Sequence, residues 1–228
     1  MLPVVITTED GSHSLLNETL NETYHSRHGA IQESRYVFLA KGLEFLVQER
    51  KPRSVSILEI GFGTGLNALL TLTRTFQIDM QVHYMALETD PLNESIWSTL
   101  NYGQVLQVSR QFVALHRCGW GTPQTLDGKF QLLKQNTSLQ EISLAPMSYD
   151  LVYYDAFAPS KQPELWTRSI LEKVVDAMAM GGVLVTYCAK GQLKRDLKSL
   201  GLFVETLPGP PGKKEMTRGT KSGGVVSS

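Results

Sequence analysis

Cysteine is scarce in this chain: there are two thiols in 228 residues, Cys118 and Cys188, with neither CxxC spacing nor a histidine group beside them. That argues against a disulfide framework and a zinc site, and leaves the two as buried or incidental thiols. The five histidines, His13, His25, His28, His83 and His116, form no spaced pair, so neither a metal centre nor a histidine-based triad is indicated. No apolar run approaches the roughly 18 residues that span a bilayer. The opening MLPVVITTEDGS also lacks the basic-then-apolar order of a secretion signal. A cytoplasmic chain without a membrane partner is expected. An excess of charge of one sign is missing too, since 22 lysines and arginines balance 22 aspartates and glutamates. No global field draws the chain to a polyanion, so any such partner must be met by a local patch. No internal repeat is present.

What the sequence does contain is a core. Hydrophobic residues make up 42% of the chain, which at this length suits one domain. Strand and helix signals alternate as they do when parallel strands carry helices on both faces, so the expected fold class is α/β. SVSILEI (Ser54–Ile60) is a short strand halted by GFGTG and followed by LNALLTLTR, with leucines at helical spacing. VHYMALE (Val82–Glu88) is a second strand, and Asp90-Pro91 after it suits a helix start. QTLDGKFQLLKQ, with Asp127-Gly128 between alternating runs, reads as a hairpin. MSYDLVYYDAF is a further buried strand, and PELWTRSILEKVVDAMAMGG reads as an amphipathic helix ending at Gly181-Gly182. VLVTYCA and QLKRDLKSLG add a strand and a helix, after which LFVET and KKEMTRG, joined by LPGPPG, suit an antiparallel pair closing the sheet. Residues 1–53 read as an N-terminal extension, a hairpin across EDGS and then mostly helix, packed on a domain that runs to residue 219. TKSGGVVSS, residues 220–228, has the composition of a flexible tail.

Chemistry becomes legible at GFGTG. Gly61, Gly63 and Gly65 let the backbone pass close to a ligand at a helix N-terminus. A dinucleotide fingerprint would need a third glycine where Leu66 stands, and no GKS or GKT makes a P-loop. ExGxGxG, opening with Glu59, is instead the pattern of S-adenosylmethionine-dependent methyltransferases with a Rossmann-like sheet. Glu59 would then reach the ligand's ammonium, directly or through water. Glu88 ends the second strand about twenty residues past the loop, where such folds set a carboxylate against both ribose hydroxyls. The plainer reading is a glycine turn and a solvated strand end; the two features at this spacing favour the ligand.

Four stretches carry a more specific resemblance: ETYHSRHGAIQESRYVFL (Glu22–Leu39), LEIGFGTGLNALL (Leu58–Leu70), YYDAFAPSKQPELWT (Tyr153–Thr167) and GPPGKKEMTRG (Gly209–Gly219). The chain resembles the methyltransferase half of the bacterial bifunctional enzymes of tRNA 5-methylaminomethyl-2-thiouridine synthesis. The resemblance implies a class I methyltransferase sheet, S-adenosylmethionine as cofactor and tRNA as partner. It also implies methyl transfer to the amine of 5-aminomethyluridine, often 2-thiolated, at the wobble position. Asp155 would face the sulfonium and the amine as the catalytic residue, or bond the cofactor's ammonium. The implied cofactor residues are Glu59, Gly61, Gly63, Gly65, Asn67, Glu88, Asn136 and Asp155. At Asn136 the family tends to carry an acid for the adenine amino group, a bond an amide oxygen can also accept.

Substrate contacts are expected from Tyr154, Phe157, Lys161, Lys214 and Arg218. The aromatic side chains would stack a splayed base, with Trp166 as an alternative, or else belong to the core. The cations, with Lys213, Arg27, His28 and Arg35, would meet phosphates or be ordinary solvated charge. Glu33 is a candidate partner for Arg35 near the cofactor pocket. A flavin-binding oxidase follows the methyltransferase half in those enzymes; none is expected in this sequence, and no metal. With an ordinary pKa near ~3.9, Asp155 would be a weak proton acceptor, so an orienting role is expected. Two other classes stay open. A small-molecule amine or carboxylate methyltransferase fits the neutral charge balance, whereas a non-catalytic cofactor- or tRNA-binding module fits poorly with the retention of Asp155, Glu88 and GFGTG.

Overall fold

The computed structural model describes residues 2–222 and begins with a small antiparallel sheet, β1 (Val4–Thr7), β2 (His13–Asn17) and β3 (Glu22–Thr23). The β1–β2 turn is the expected EDGS, with Asp10 Oδ1 accepting a bond from Ser12 N at 3.0 Å. Helix begins only at Ala30 and runs without a break through α1 (Ala30–Ser34), a π-helical stretch (Arg35–Glu44) and α2 (Phe45–Arg50). NETYHSRHG, expected to be largely helical, is strand and loop. Its polar groups bond elsewhere: His25 to Thr64, and Ser26 N to Glu33. Tertiary contacts override the local propensity there.

The main sheet comprises β4 (Ser54–Ile60), β5 (Gln81–Glu88), β6 (Gln124–Thr125), β7 (Phe130–Asn136), β8 (Tyr149–Tyr154), β9 (Met178–Thr186), β10 (Leu202–Pro208) and β11 (Glu215–Lys221). Their order is β10-β11-β9-β8-β4-β5-β7-β6. The inner five are parallel; β6 and the β10–β11 pair are antiparallel, as the hairpin and strand-pair signals predict. The helices between strands are α3 (Leu66–Thr75), α4 (Glu94–Trp97), α5 (Tyr102–Val105), α6 (Ser109–Arg117), α7 (Arg168–Ala177) and α8 (Gly191–Ser199).

Residues of β4 alternate between two hydrophobic clusters, Val55 and Ile57 in one, Leu58 and Ile60 in the other, as a strand covered on both faces must. Each such side chain stabilises the fold by about 1.5–3 kcal/mol. Because β5 lies on one side of β4 and β8 on the other, the winding reverses between β4 and β8. That reversal opens a crevice at the strands' carboxyl ends.

Four boundaries differ from the sequence reading. Asp90-Pro91 does not start a helix: the Glu88 carboxylate accepts bonds from Thr89 N and Asp90 N, holding a turn, and α4 begins at Glu94. PELW forms a separate 3-10 turn, and α7 ends at Ala177 instead of Gly181. Fully buried Met178 already pairs with Tyr149, and the register then jumps to Leu151↔Val183. Gly181, at φ +72°, absorbs that bulge. Finally, Thr220 and Lys221, expected in the flexible tail, belong to β11. Lys221 pairs with Leu202 and its Nζ donates to Val175 O at 2.7 Å. The remainder of that tail, residues 223–228, lies outside the described residues. Both thiols are buried and free. Among the described residues no helix is long and apolar enough to cross a membrane.

Arg218 holds the sheet edge instead of facing a partner. It is 8% exposed, donates to Glu205 at 2.8 and 3.0 Å, and lies 3.4 Å from the Phe45 ring centroid. Arg218→Ala should therefore lower stability by about 1–3 kcal/mol, the cost of losing charged hydrogen bonds. Urea unfolding checks this; unchanged stability with weakened polyanion binding would return Arg218 to the surface role.

Candidate active site

A cavity of about 780 Å³ occupies the crevice, within the range of small-molecule sites. Of the residues singled out in the sequence, Glu33, Gly61, Gly63, Glu88, Asp155, Phe157 and Lys213 line it. The loop is fixed by bonds from Gly61 N and Phe62 N to Leu87 O at 3.1 and 2.9 Å, which tie it to the end of β5. Glu88 sits half-buried on the wall. Its Oε2 accepts Gly63 N at 2.8 Å, and its Oε1 accepts Thr89 N and Asp90 N. Burial raises the Glu88 pKa, and those three N–H bonds oppose the rise.

Asp155 follows β8 directly. Asn67, in the first turn of α3, donates Nδ2 to Asp155 Oδ2 at 2.8 Å. Burial pushes the Asp155 carboxyl up to about 7, the negative charge of Glu33 adds to the shift, and the Asn67 bond and the Lys213 charge oppose it. This corrects the expectation of an ordinary carboxylate. A group titrating near neutrality can take a proton as well as orient a partner.

Beneath the loop lies Glu59, 0% exposed, on the face of β4 shared by Val55 and Ile57. Neither of its oxygens makes a well-formed hydrogen bond, nor do Asn67 Oδ1 and Tyr84 Oη, although the Asn67 amide and the Tyr84 hydroxyl are near enough to favour the Glu59 carboxylate. Burial, then the charge of Asp155, raises the Glu59 pKa well above the ordinary value. A cluster of buried polar atoms without partners marks a place where water or a ligand group belongs.

The other expected contacts are elsewhere. Glu59, Gly65, Asn67 and Asn136 do not line the cavity. Gly65 caps α3, Asn67 holds Asp155, and Asn136 donates Nδ2 to Glu88 O at 3.0 Å, so it braces the Glu88 turn. Tyr154 is 1% exposed: strand alternation turns it to the second cluster, where its hydroxyl donates to Leu165 O. Trp166 packs against Tyr154 and donates Nε1 to Phe157 O at 2.9 Å, so it belongs to the core. Lys161 is half-buried and Lys214 exposed, both off the main cavity.

The N-terminal segment closes the cavity in ways the sequence did not announce. Tyr24 meets Phe157 edge-on, ring centroids 5.1 Å apart, on the cavity wall. His25 Nε2 lies 2.7 Å from Thr64 Oγ1, joining this segment to the glycine loop, and burial lowers its pKa to about 4, so it is neutral. Glu33, 5% exposed, pairs with Lys213 at 2.6 Å and not with Arg35, since residues two apart on a helix point in different directions. Among the described residues no group of three or more His, Cys, Asp or Glu is arranged to hold a metal ion.

Comparison with known proteins gives a consistent result. A family model described as S-adenosyl-L-methionine-dependent methyltransferase matches residues 126–222, which include Asp155. The tRNA 5-methylaminomethyl-2-thiouridine biosynthesis bifunctional protein MnmC of Leptospira interrogans is 30% identical over 227 residues, 93% of this chain and 34% of that protein. The MnmC protein of Aromatoleum aromaticum is 29% identical over the same length and shares. The chain thus spans about a third of the length of the curated relatives it matches. The crystal structure of MNMC2 from Aquifex aeolicus superposes with a TM-score of 0.80 at 25% identity, covering 98% of this chain and 71% of that one.

Proposed function

The chain is an MnmC-like methyltransferase domain dependent on S-adenosyl-L-methionine, and from that premise we propose that it methylates the amine of 5-aminomethyluridine, with or without a 2-thio group, at the wobble position of cytoplasmic tRNA. The observation that carries the reading is Asp155, a carboxyl titrating near 7, held by Asn67 on the wall of the cavity beside the glycine loop.

The residues fit the cofactor. Gly61 and Gly63 add no side chain to the cavity wall, Glu88 presents a carboxylate already ordered by three backbone N–H groups, and Glu59 lies beneath with neither oxygen in a well-formed hydrogen bond. Glu88 is the acceptor for a vicinal diol, and Glu59 the acceptor, directly or through water, for an ammonium. When bound, S-adenosyl-L-methionine supplies a methyl group activated on a sulfonium. Asp155 then has two tasks. It takes the proton that an incoming alkylammonium must lose to expose its lone pair and, once that proton has passed on to water, its carboxylate stabilises the positive charge that returns to nitrogen. Tyr24 and Phe157 supply aromatic faces for a base and restrict water at the mouth. Exposed Lys214 and half-buried Lys161 are among the cations available for phosphate.

Glu88→Ala should weaken S-adenosyl-L-methionine binding by about 1–3 kcal/mol through loss of charge-assisted hydrogen bonds; calorimetry with unchanged affinity would remove Glu88 from the site. The acceptor is tested by offering methyl-labelled cofactor with bulk tRNA or with a metabolite extract. Label in tRNA supports the reading, and label in metabolites alone would make the chain a small-molecule methyltransferase.

A further inference from the structure

Lys213 stands between two cavities. With Tyr187 and Ala158 it lines the main cavity and also a second cleft of about 440 Å³, whose other walls include Pro159, Lys190 and Lys214. Its Nζ lies 2.6 Å from Glu33 Oε1 and 3.7 Å from the centroid of the Tyr187 ring. Both partners are pre-set. Glu33 Oε2 accepts Ser26 N at 2.8 Å, and the Tyr187 hydroxyl donates to Ala156 O at 2.8 Å, which fixes the ring face. A carboxylate beside an aromatic face is a receptor for an alkylammonium, and here the chain's own primary ammonium fills it.

Resting on the amine-acceptor reading above, we infer that Glu33 and the Tyr187 face form the subsite that recognises the substrate's ammonium, and that Lys213 occupies it until the aminomethyl group takes its place. Exchange of one ammonium for another keeps Glu33 paired throughout, so no buried charge is left uncompensated. A hydroxymethyl group in the same position would strand the Glu33 charge, which makes the subsite selective for amines. The backbone need not move. Lys213 N donates to Pro210 O at 2.9 Å, and neighbouring Gly212 packs so closely on His28 that an added Cβ would lie 1.9 Å from its ring. The side chain alone swings toward the second cleft, a rotamer change on a fast timescale. The second cleft thereby becomes the side from which the nucleotide enters, with Lys190 and Lys214 beside its phosphates.

The test uses the full chain loaded with S-adenosylhomocysteine and follows the lysine Nζ resonances by NMR, Lys213 being assigned by its loss in Lys213→Met. Addition of 5-aminomethyluridine should shift the Lys213 signal, and 5-hydroxymethyluridine should not. Lys213→Met should bind the amine nucleoside several-fold to about tenfold more tightly, because a competing occupant has been removed, and Glu33→Gln should bind it at least several-fold more weakly. A Lys213 signal unmoved by bound amine would overturn the inference, as would absence of amine binding to both the parent and Lys213→Met. Failure of the broader reading has a different signature: no methyl transfer to tRNA bearing the aminomethyl group, whatever Lys213 does.

Discussion

Replacing Asp155 by asparagine should reduce turnover by about 10²-fold or more while S-adenosyl-L-methionine still binds. The amide keeps the size of the side chain and one acceptor for Asn67, whose 2.8 Å bond would be preserved. It removes the negative charge and the ability to take a proton. Asp155→Ala removes the acceptor as well. If Asp155 mainly anchored the cofactor, binding and rate would fall together and excess cofactor would restore the rate. The pH dependence of kcat/KM separates these further. In the parent it should rise through about 7, the value at which burial holds the Asp155 carboxyl, and that limb should vanish in Asp155→Asn.

Stability should move the opposite way. The folded pKa lies above the ordinary 3.8, so this group's contribution is full below that value and is lost as pH rises through about 7. Asp155→Asn should therefore melt at or above the parent temperature at pH 8, with no such gain at pH 4. An Asp155→Ala variant with parental single-turnover rate at saturating cofactor and tRNA would return the residue to a structural role.

Gly61→Ala should damage the fold and the site together. Gly61 has φ +90°, and a Cβ there would lie 2.8 Å from the backbone oxygen of Asp155. The backbone strain alone costs about 1–3 kcal/mol. The clash falls on main chain, so it also displaces Asp155, and a shift of ~1 Å at a reacting centre can cost ~10²-fold in rate. Gly128→Ala provides the control, because Gly128 has φ +66° and nothing within 4 Å of its added Cβ. It should lose some melting temperature and keep cofactor binding. Equal effects from the two substitutions would mean that Gly61 matters only for its backbone angle.

What was legible in the sequence was what lies on strand ends. Gly61, Gly63, Glu88 and Asp155 each follow or close a parallel strand, and the sheet's order brings such ends together. Tyr154 was misplaced because a strand's two faces cannot be told apart when both are buried; one residue of parity sends Tyr154 into the second cluster, away from the site. The Glu33–Lys213 pair joins residues 180 apart in sequence and leaves no local pattern. Tyr24 and His25 were hidden for a different reason: a stretch that reads as helix is held open by their own bonds to Leu15 and Thr64. The neutral charge balance concealed how uneven the local field is, with Glu33, Glu88 and Asp155 lining one cavity and Glu59 beneath it.

The most direct test of the account is nucleoside mass spectrometry of tRNA bearing 5-aminomethyluridine at the wobble position, before and after incubation with this protein and S-adenosyl-L-methionine. The account predicts one methyl group gained on the exocyclic amine of that nucleoside, and none when Asp155→Ala replaces the parent. An unchanged wobble nucleoside, or a methyl group on any other atom of the tRNA, would contradict it.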